Sequence, residues 1–319
     1  MLRGILFKIA STFVFVIMST GVKLVSADYP VAQVVFFRSL FALVVLIFWL
    51  ALRGEFPRAL STRRPFGHLT RSLIGSSGMF FSFLSLALLP IADATAFSFA
   101  APLMTVALAS IFLGESVRVY RWSAVAIGLA GVLVMLSEHL DVGGAAGNAA
   151  GVGAALLAAT SAAFATIQTR RLVTTEQTGA IVFYFSLMTT ILSALALVAA
   201  AVWRPEWPGG ATVLSQAWRA PSFAGFMALA AIGALGGIGQ ILMTQSFRYA
   251  DASIIACFDY TSMIFAIVVS LLVFHETPTA RVLIGGAIVA GAGLFVIWRE
   301  HRLGVIARQG REAGPTRAL

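Results

Sequence analysis

The chain has 319 residues, 59% of them hydrophobic and only 11% charged, with a mean hydropathy of +0.93. Soluble domains carry about one-quarter charged residues, so this composition excludes a soluble globular fold and implies a membrane protein. The net charge of +9 would suit nucleic acid on a soluble fold, but here arginines punctuate apolar runs, and one cysteine, Cys257, excludes an intrachain disulfide or a thiolate metal site.

Crossing the hydrocarbon takes about 20 apolar residues in a helix. Runs of that length or near it predict ten transmembrane helices: Gly4–Val25, Val31–Leu52, Leu69–Leu89, Ala94–Leu113, Val119–Leu136, Ala149–Gln168, Gly179–Trp203, Phe223–Phe247, Ala252–Phe274 and Arg281–Trp298. The first run, with Arg3 and Lys8 in it and Val25-Ser26-Ala27 after it, also has the form of a signal peptide. Against that, Lys23-Leu24-Val25 aligns with Arg171-Leu172-Val173 at the end of the sixth run, so the first helix is expected to be retained.

With the N-terminus in the cytoplasm, Arg3, Lys8, Arg53, Arg58, Arg63, Arg64, Arg71, Arg118, Arg121, Arg170, Arg171, Arg248 and five tail arginines fall inside, 17 in all. Only Arg204, Arg219 and Arg281 fall outside, which satisfies the positive-inside bias and puts both termini in the cytoplasm.

The chain repeats itself. Asp93 opens a long apolar stretch closed by Glu115, a turn with Arg118 and Arg121, and a Gly-rich helix; Asp251, Glu276, Arg281 and a second Gly-rich helix follow in the same order. Upstream, VFFRSL at Val35–Leu40 faces VFYFSL at Val182–Leu187, and Gly75 with Gly78 face Gly233 with Gly236. Residues 1–140 and 141–300 are therefore expected to be two repeats, with residues 301–319 a basic cytoplasmic tail. Five helices per repeat is odd, so the second enters the membrane from the other side. Inverted repeats are an architecture of secondary transporters, with substrate held near the midplane.

Leu89-Pro90-Ile91-Ala92-Asp93-Ala94 through Gly114-Glu115, then Gly128-Leu129-Ala130-Gly131-Val132, resembles the ten-helix EamA-type transporters of the drug/metabolite transporter superfamily, aromatic amino-acid exporters among them. The resemblance covers nearly the whole chain and implies a carrier, mostly an exporter, of amino acids, amines, drugs or other small metabolites. The second repeat departs from the first by placing Tyr260, Thr261, Ser262 and Met263 where the first has Ala101-Pro102.

Enzyme motifs fail. Gly75-Ser76-Ser77-Gly78 has the form of an intramembrane serine protease motif but lacks an embedded histidine as base, and His275-Glu276 is followed by Thr279 where a zinc helix needs its second histidine. No catalytic residue, metal or cofactor is expected. The charges inside the bilayer are Lys23, which can snorkel, Arg38 and Asp259; a buried charge is a functional candidate by default. Arg38 has backbone carbonyls as its alternative partners, and Asp259 is read as a substrate or proton site.

Helix periodicity sets Gly233, Gly236, Gly237, Gln240 and Thr244 on one face of the eighth helix, and Gly75, Met79, Ser82 and Phe83 on one face of the third. On the fourth, Thr95 and Phe99 fall with Pro102, which frees a carbonyl and bends the helix. Arg38, Met79, Ser82, Phe83, Phe99, Tyr184, Gln240, Thr244, Asp259 and Tyr260 are the expected substrate residues. Asp93 and Asp251 are read as helix caps or gates and Glu115 and Glu276 as interface partners of Arg118 and Arg281. Gly75, Gly78, Pro102, Gly233, Gly236 and Gly237 are expected to govern packing and gating. Gly128-x-x-Gly131 and the face of Gly285, Gly286, Ala290, Gly291 and Gly293 are expected to pack against each other or against a neighbouring helix, with dimerisation as the weaker alternative to a monomer. The expected whole is an all-α inner-membrane exporter of amino acids or related metabolites working by alternating access, with no nucleic-acid partner; import is the alternative and an intramembrane enzyme the remote one.

Overall fold

The computed structural model describes residues 2–101, 104, 108, 119–141, 146–172, 175–203, 218–249 and 261–312. Among them are helices and no strand: α1 Leu2–Val25, α2 Val31–Leu52, a short 3₁₀ turn Arg58–Leu60, α3 Pro65–Leu88, α4 Ile91–Ser98, α5 Val119–Asp141, α6 Ala146–Leu172, α7 Thr178–Trp203, α8 Phe223–Tyr249, α9 Thr261–Val269 and α10 Ala280–Glu312. Prolines stand where helices begin: Pro65 is the first residue of α3, and Pro30 and Pro90 immediately precede α2 and α4. A proline N–H would have no intrahelical acceptor there, so nothing is lost.

Among the described residues six helices are long and apolar enough to cross a membrane: α1, α2, α3 and the stretches Ala149–Thr169, Thr178–Val202 and Phe223–Ser246 of α6, α7 and α8. Shorter apolar stretches, Trp122–Met135, Thr261–Phe274 and Ala280–Phe295, belong to α5, α9 with its continuation, and α10. The 33 residues of α10 span about 50 Å at 1.5 Å each, so the helix runs well past the expected end at Trp298.

The bundle is apolar outside and encloses a hydrophobic core with polar side chains buried among it. Along α2, Val44, Ile47, Phe48 and Leu52 are exposed while Leu43, Leu46 and Leu50 are buried. Lys8, Gln33, Arg38, Ser39, Arg71, Ser72, Ser76 and Thr189 are all buried. In water the exposed leucines and phenylalanines would be costly; in lipid the tails solvate them, and inside the bundle Ser76 pairs with Thr189 and Arg71 with Thr169.

Small residues let the helices approach. α1 lies along α8, and α6 lies along α3; α2 packs on α8 and α7 on α3; α2 meets α7, α4 meets α9, and α5 meets α10. A Cβ at Gly285 would stand 2.6 Å from the Gly131 carbonyl oxygen, and one at Gly131 would stand 2.8 Å from that of Gly285, so α5 and α10 pack closely at this pair, while Gly286 lies toward Met263 of α9 and Ala96 of α4. Along α8, a Cβ at Gly233 would strike Phe41 and lie 2.8 Å from the Phe37 carbonyl, while one at Gly237 would meet the Ala42 Cα at 3.0 Å. Position 233 faces 37 and 237 faces 42, so α2 and α8 run parallel. By the same reading, α1 and α8 are antiparallel, since Gly21 faces Ile232 and Gly239 faces Phe15.

Candidate transport site

One face of α1 carries Lys8, Thr12, Phe15, Val16 and Ser19, at i, i+4, i+7, i+8 and i+11. With Ser82, Ser85 and Leu86 of α3, Ile91, Ala94, Thr95 and Ser98 of α4, Met243 of α8 and Ser262 of α9, it lines a cavity of about 280 Å³. The cavity lies beside a break. α4 is interrupted after Ser98 by a single turn residue, Phe99, and Ala100 and Ala101 are helical again. The sequence puts Pro102 four residues beyond Ser98, and a proline has no N–H to offer that carbonyl. Ends of interrupted helices are where carriers place polar backbone groups against a substrate.

The walls differ in hydrogen-bonding sense. Thr95 Oγ1 donates to the Ile91 carbonyl at 2.7 Å, Ser98 Oγ to that of Thr95 at 2.6 Å, and Ser85 Oγ to that of Ser82 at 2.8 Å. A hydroxyl whose proton is spent on its own helix turns lone pairs outward. The α3–α4 wall is therefore a row of acceptors, while α1 supplies the cation Lys8, only 3% exposed.

Of the residues expected from sequence to hold substrate, Ser82 lines this cavity. Phe83 and Phe99 are buried in the hydrophobic core, with Met79 packed against it. Thr244 turns its hydroxyl back to the Gln240 carbonyl at 2.7 Å, and neighbouring Met243 faces the cavity. Tyr184 is remote from it: its hydroxyl donates to the Leu60 carbonyl at 3.1 Å and its ring packs 4.9 Å from His68. Arg38 is buried against α8, where a Cβ at Gly236 would come 2.8 Å from its Nε. Gly75 and Gly78 of α3 lie against Phe185 and Ser161. Pro102, Glu115, Asp251, Asp259 and Tyr260 fall outside the described residues.

Several charges take other places than the sequence suggests. Asp93 sits in the first turn of α4, not at its cap, which is Pro90. Lys8 and Arg71, counted with the cytoplasmic bases, are buried side chains of α1 and α3. Glu276 was expected beside Arg281, but it bonds Lys23: the ammonium donates to Oε2 at 3.0 Å, Oε1 at 3.1 Å and the Leu89 carbonyl at 3.3 Å, and stands 4.8 Å from the Phe274 ring. Glu276 is held for this by a π-helical turn, Ser270–Phe274, and His275 at φ 53°, with its N–H on the Ser270 carbonyl at 3.0 Å. π turns recur at functional sites.

At the far end of α3, His68 Nε2 lies 3.4 Å from Glu176 Oε2, both side chains nearly enclosed, and the Arg63 N–H donates to Glu176 Oε1 at 2.9 Å. Burial raises the Glu176 carboxyl, but the hydrogen bond from the Arg63 N–H and the nearness of His68 and Thr62 outweigh it and hold it below its ordinary range.

The sequence matches the EamA-like transporter family twice, over residues 2–137 and 149–299. The chain belongs to the EamA-like transporter family. It is similar to the S-adenosylmethionine uptake transporter of Rickettsia conorii, 28% identical over 85% of this chain and 84% of that one. It is also similar to the Pseudopaline exporter CntI of Pseudomonas aeruginosa, 29% identical over 91% and 94%, and to the riboflavin transporter of Rhizobium johnstonii, 26% identical over 86% and 83%. A solved crystal structure shares the fold, with a TM-score of 0.64 at 20% identity over 94% of this chain and 98% of that one. This member is thus a multi-pass transmembrane transporter of the drug/metabolite superfamily that moves a small metabolite.

Proposed function

We propose that this EamA-family member exports small zwitterionic metabolites, amino acids or close relatives, across a bacterial inner membrane by alternating access of two inverted five-helix repeats. The observation that carries the substrate class is the cavity: an acceptor wall of Ser85, Thr95 and Ser98 suits an ammonium, and the Lys8 cation suits a carboxylate. Its volume of about 280 Å³ stands at the small end of ligand pockets, which run from about 300 Å³ upward. Asp259, three positions before the cavity-lining Ser262, is the second candidate for the ammonium.

Inversion is supported by the packing. Exchanging each helix with the one five places on turns α1–α8 into α6–α3 and α2–α8 into α7–α3, and returns α2–α7, α4–α9 and α5–α10 to themselves, all of which are observed contacts. The double family match has the same period. Lys23 and Glu276 then close one end, the outer one if both termini are cytoplasmic, and the His68–Glu176 cluster lies at the inner end.

Uptake is the second reading, favoured by the Rickettsia relative. Proteoliposomes loaded with unlabelled amino acids and given labelled ones outside, with and without a pH gradient, test both. Counterflow above protein-free vesicles is expected for zwitterionic amino acids; gradient-driven accumulation in one direction alone decides export or import. Failure to move any amino acid would sink the substrate assignment.

A further inference from the structure

Gly239 of α8 is engaged by α1 twice. Its carbonyl accepts the Ser11 hydroxyl at 2.9 Å, and a Cβ at position 239 would stand 2.8 Å from Phe15 Cε1, 3.0 Å from Cδ1 and 3.2 Å from Cζ. Those are adjacent carbons of one ring edge, all closer than the roughly 3.5–4.0 Å at which carbon atoms pack. The phenylalanine therefore lies on the bare backbone of α8, in space that any side chain at 239 would take. Ser11 and Phe15 are one turn apart on α1, so the hydrogen bond fixes the height at which the ring meets the glycine. Nearer the other end of α1, a Cβ at Gly21 would stand 2.9 Å from Ile232 Cγ1, so sliding one helix along the other gives no relief.

Phe15 also lines the transport cavity. Val16 lies beside it on α1, and Met243, one turn beyond Gly239 on α8, lines the cavity too. Lys8 precedes Phe15 by seven residues, about 10 Å along the helix at 1.5 Å each, so the cation and this apolar wall belong to different parts of the cavity. The thioether of Met243 has several rotatable bonds and adapts to whatever packs on it. The ring of Phe15, backed by a helix backbone, does not.

We infer that Phe15, seated on Gly239, sets the size of the apolar side chain that the carrier accepts. The wall of Phe15, Val16 and Met243 takes that side chain while Lys8 and the α3–α4 hydroxyls hold the charged end. This rests on the reading of the cavity as the substrate site and adds a substrate class to it, zwitterions with an apolar side chain selected by size. Glycine at 239 lets the ring withdraw furthest from the cavity. Alanine there drives the ring edge off α8 and into the space a substrate would fill.

The test competes unlabelled alanine, leucine and phenylalanine against a labelled amino acid for counterflow in proteoliposomes of the full-length protein. Gly239→Ala should lower the apparent affinity for leucine relative to alanine by about ten-fold, the discrimination a methylene or two commands in a fitted pocket. Phe15→Leu, which shortens the wall, should improve phenylalanine relative to leucine, and it keeps the test open if Gly239→Ala does not fold. The double variant should return toward the parent ratios. Ratios unmoved by either folded single variant overturn the inference. A second readout does not depend on what is carried: in a Cys257→Ala background, a cysteine at Ser82 is reacted with methyl and with benzyl methanethiosulfonate. Gly239→Ala should slow the bulky reagent relative to the small one by about as much, and adding Phe15→Leu should undo the difference. Equal rates for both reagents in all backgrounds would show that the ring does not gauge the cavity, and overturn the inference even where amino acids move. Size-dependent labelling without counterflow of any amino acid would place the failure in the amino-acid reading and uphold the ring as the gauge.

Discussion

Lys23, at the end of α1, holds Glu276, beyond α9, through both carboxylate oxygens while also reaching the carbonyl of Leu89 between α3 and α4. One ammonium thereby joins three segments that border the cavity. The pair is only partly buried, with side chains 16% and 37% exposed, so its net worth is roughly 0.5–1 kcal/mol once solvent screening is counted. That is about a two- to five-fold change in population between closed and open forms. In a Cys257→Ala background, a cysteine at Ser19 should label from the outer side about that much faster when Glu276→Gln is added. The exchange Lys23→Glu with Glu276→Lys should restore the slow rate. Equal labelling in all three would leave the pair without a gating role.

Inversion makes a sharper demand on topology. Cysteines placed one at a time at Ser116 and Thr277, just past the two matching glutamates, should react with an impermeant maleimide from opposite faces of the membrane. Reaction from the same face would refute the inverted arrangement.

Much of this organisation is legible in the residues. Apolar runs predict α1, α2, α7 and α8 to within a few residues, since a lipid-facing helix must be apolar wherever it lies. The glycine face of α8 and the pairing of Gly131 with Gly285 are also readable, because close approach admits few side chains. Lys8 was readable too: with Thr12, Phe15 and Ser19 it forms a polar and aromatic stripe at helical spacing, but near the chain start a lysine reads first as a cytoplasmic charge. The burial of Arg71 leaves no local trace. It depends on Phe185 and Thr169, some hundred residues away, and only tertiary packing brings them together. Likewise Glu276 has Arg281 at a plausible spacing, and the bond to Lys23 follows from the π turn and the left-handed His275, which periodicity does not reveal.

Glycine-to-alanine changes should separate rigid from yielding contacts. At Gly285 the new methyl would meet a backbone oxygen, that of Gly131, which cannot rotate away; at Gly236 it would meet the ends of Arg38 and Met18, which can. Gly285→Ala should cost about 1–3 kcal/mol by overpacking. Gly236→Ala should cost clearly less, whereas Gly236→Leu should disturb the α2–α8 contact itself. Comparing unfolding midpoints of the variants in one detergent checks the order, and a cheaper Gly285→Ala would show that α5 and α10 slide apart easily.

The His68–Glu176 cluster sets a pH window. The Glu176 pKa is depressed on folding, so its contribution is present above the ordinary value of 4.5 and is lost as pH falls through the lower folded value. Acidification from neutrality to about pH 5 should therefore leave the Arg63 amide, bonded to Glu176 Oε1, as protected as before. Glu176→Gln should expose it at every pH. Hydrogen exchange resolved at residues 61–64 makes the comparison, and equal protection in the variant would show that the loop is held by other contacts.

Lys8 carries the most discriminating prediction. It is the one cation lining the described cavity, it is nearly enclosed, and it shares the cavity with hydroxyls whose protons are committed to their own helices. A zwitterion fits with its carboxylate toward Lys8 and its ammonium toward Thr95 and Ser98. Removing the cation as Lys8→Gln keeps a donor but not the charge, so a hydrogen bond to a charged group weakens by about 1.5–3 kcal/mol, or roughly ten- to a hundred-fold in affinity. The loss should fall on free amino acids and spare their methyl esters, which lack the charged carboxylate, so the ratio of the two affinities changes even if expression drops. Thr95→Val, which keeps shape and deletes the lone pairs, should instead penalise substrates with a free ammonium relative to N-acetyl analogues. The two variants measured against the three ligand forms in one proteoliposome series give a crossed pattern if both walls bind as described. A loss uniform across all ligand forms would mean that Lys8 supports the packing of α1 rather than the substrate.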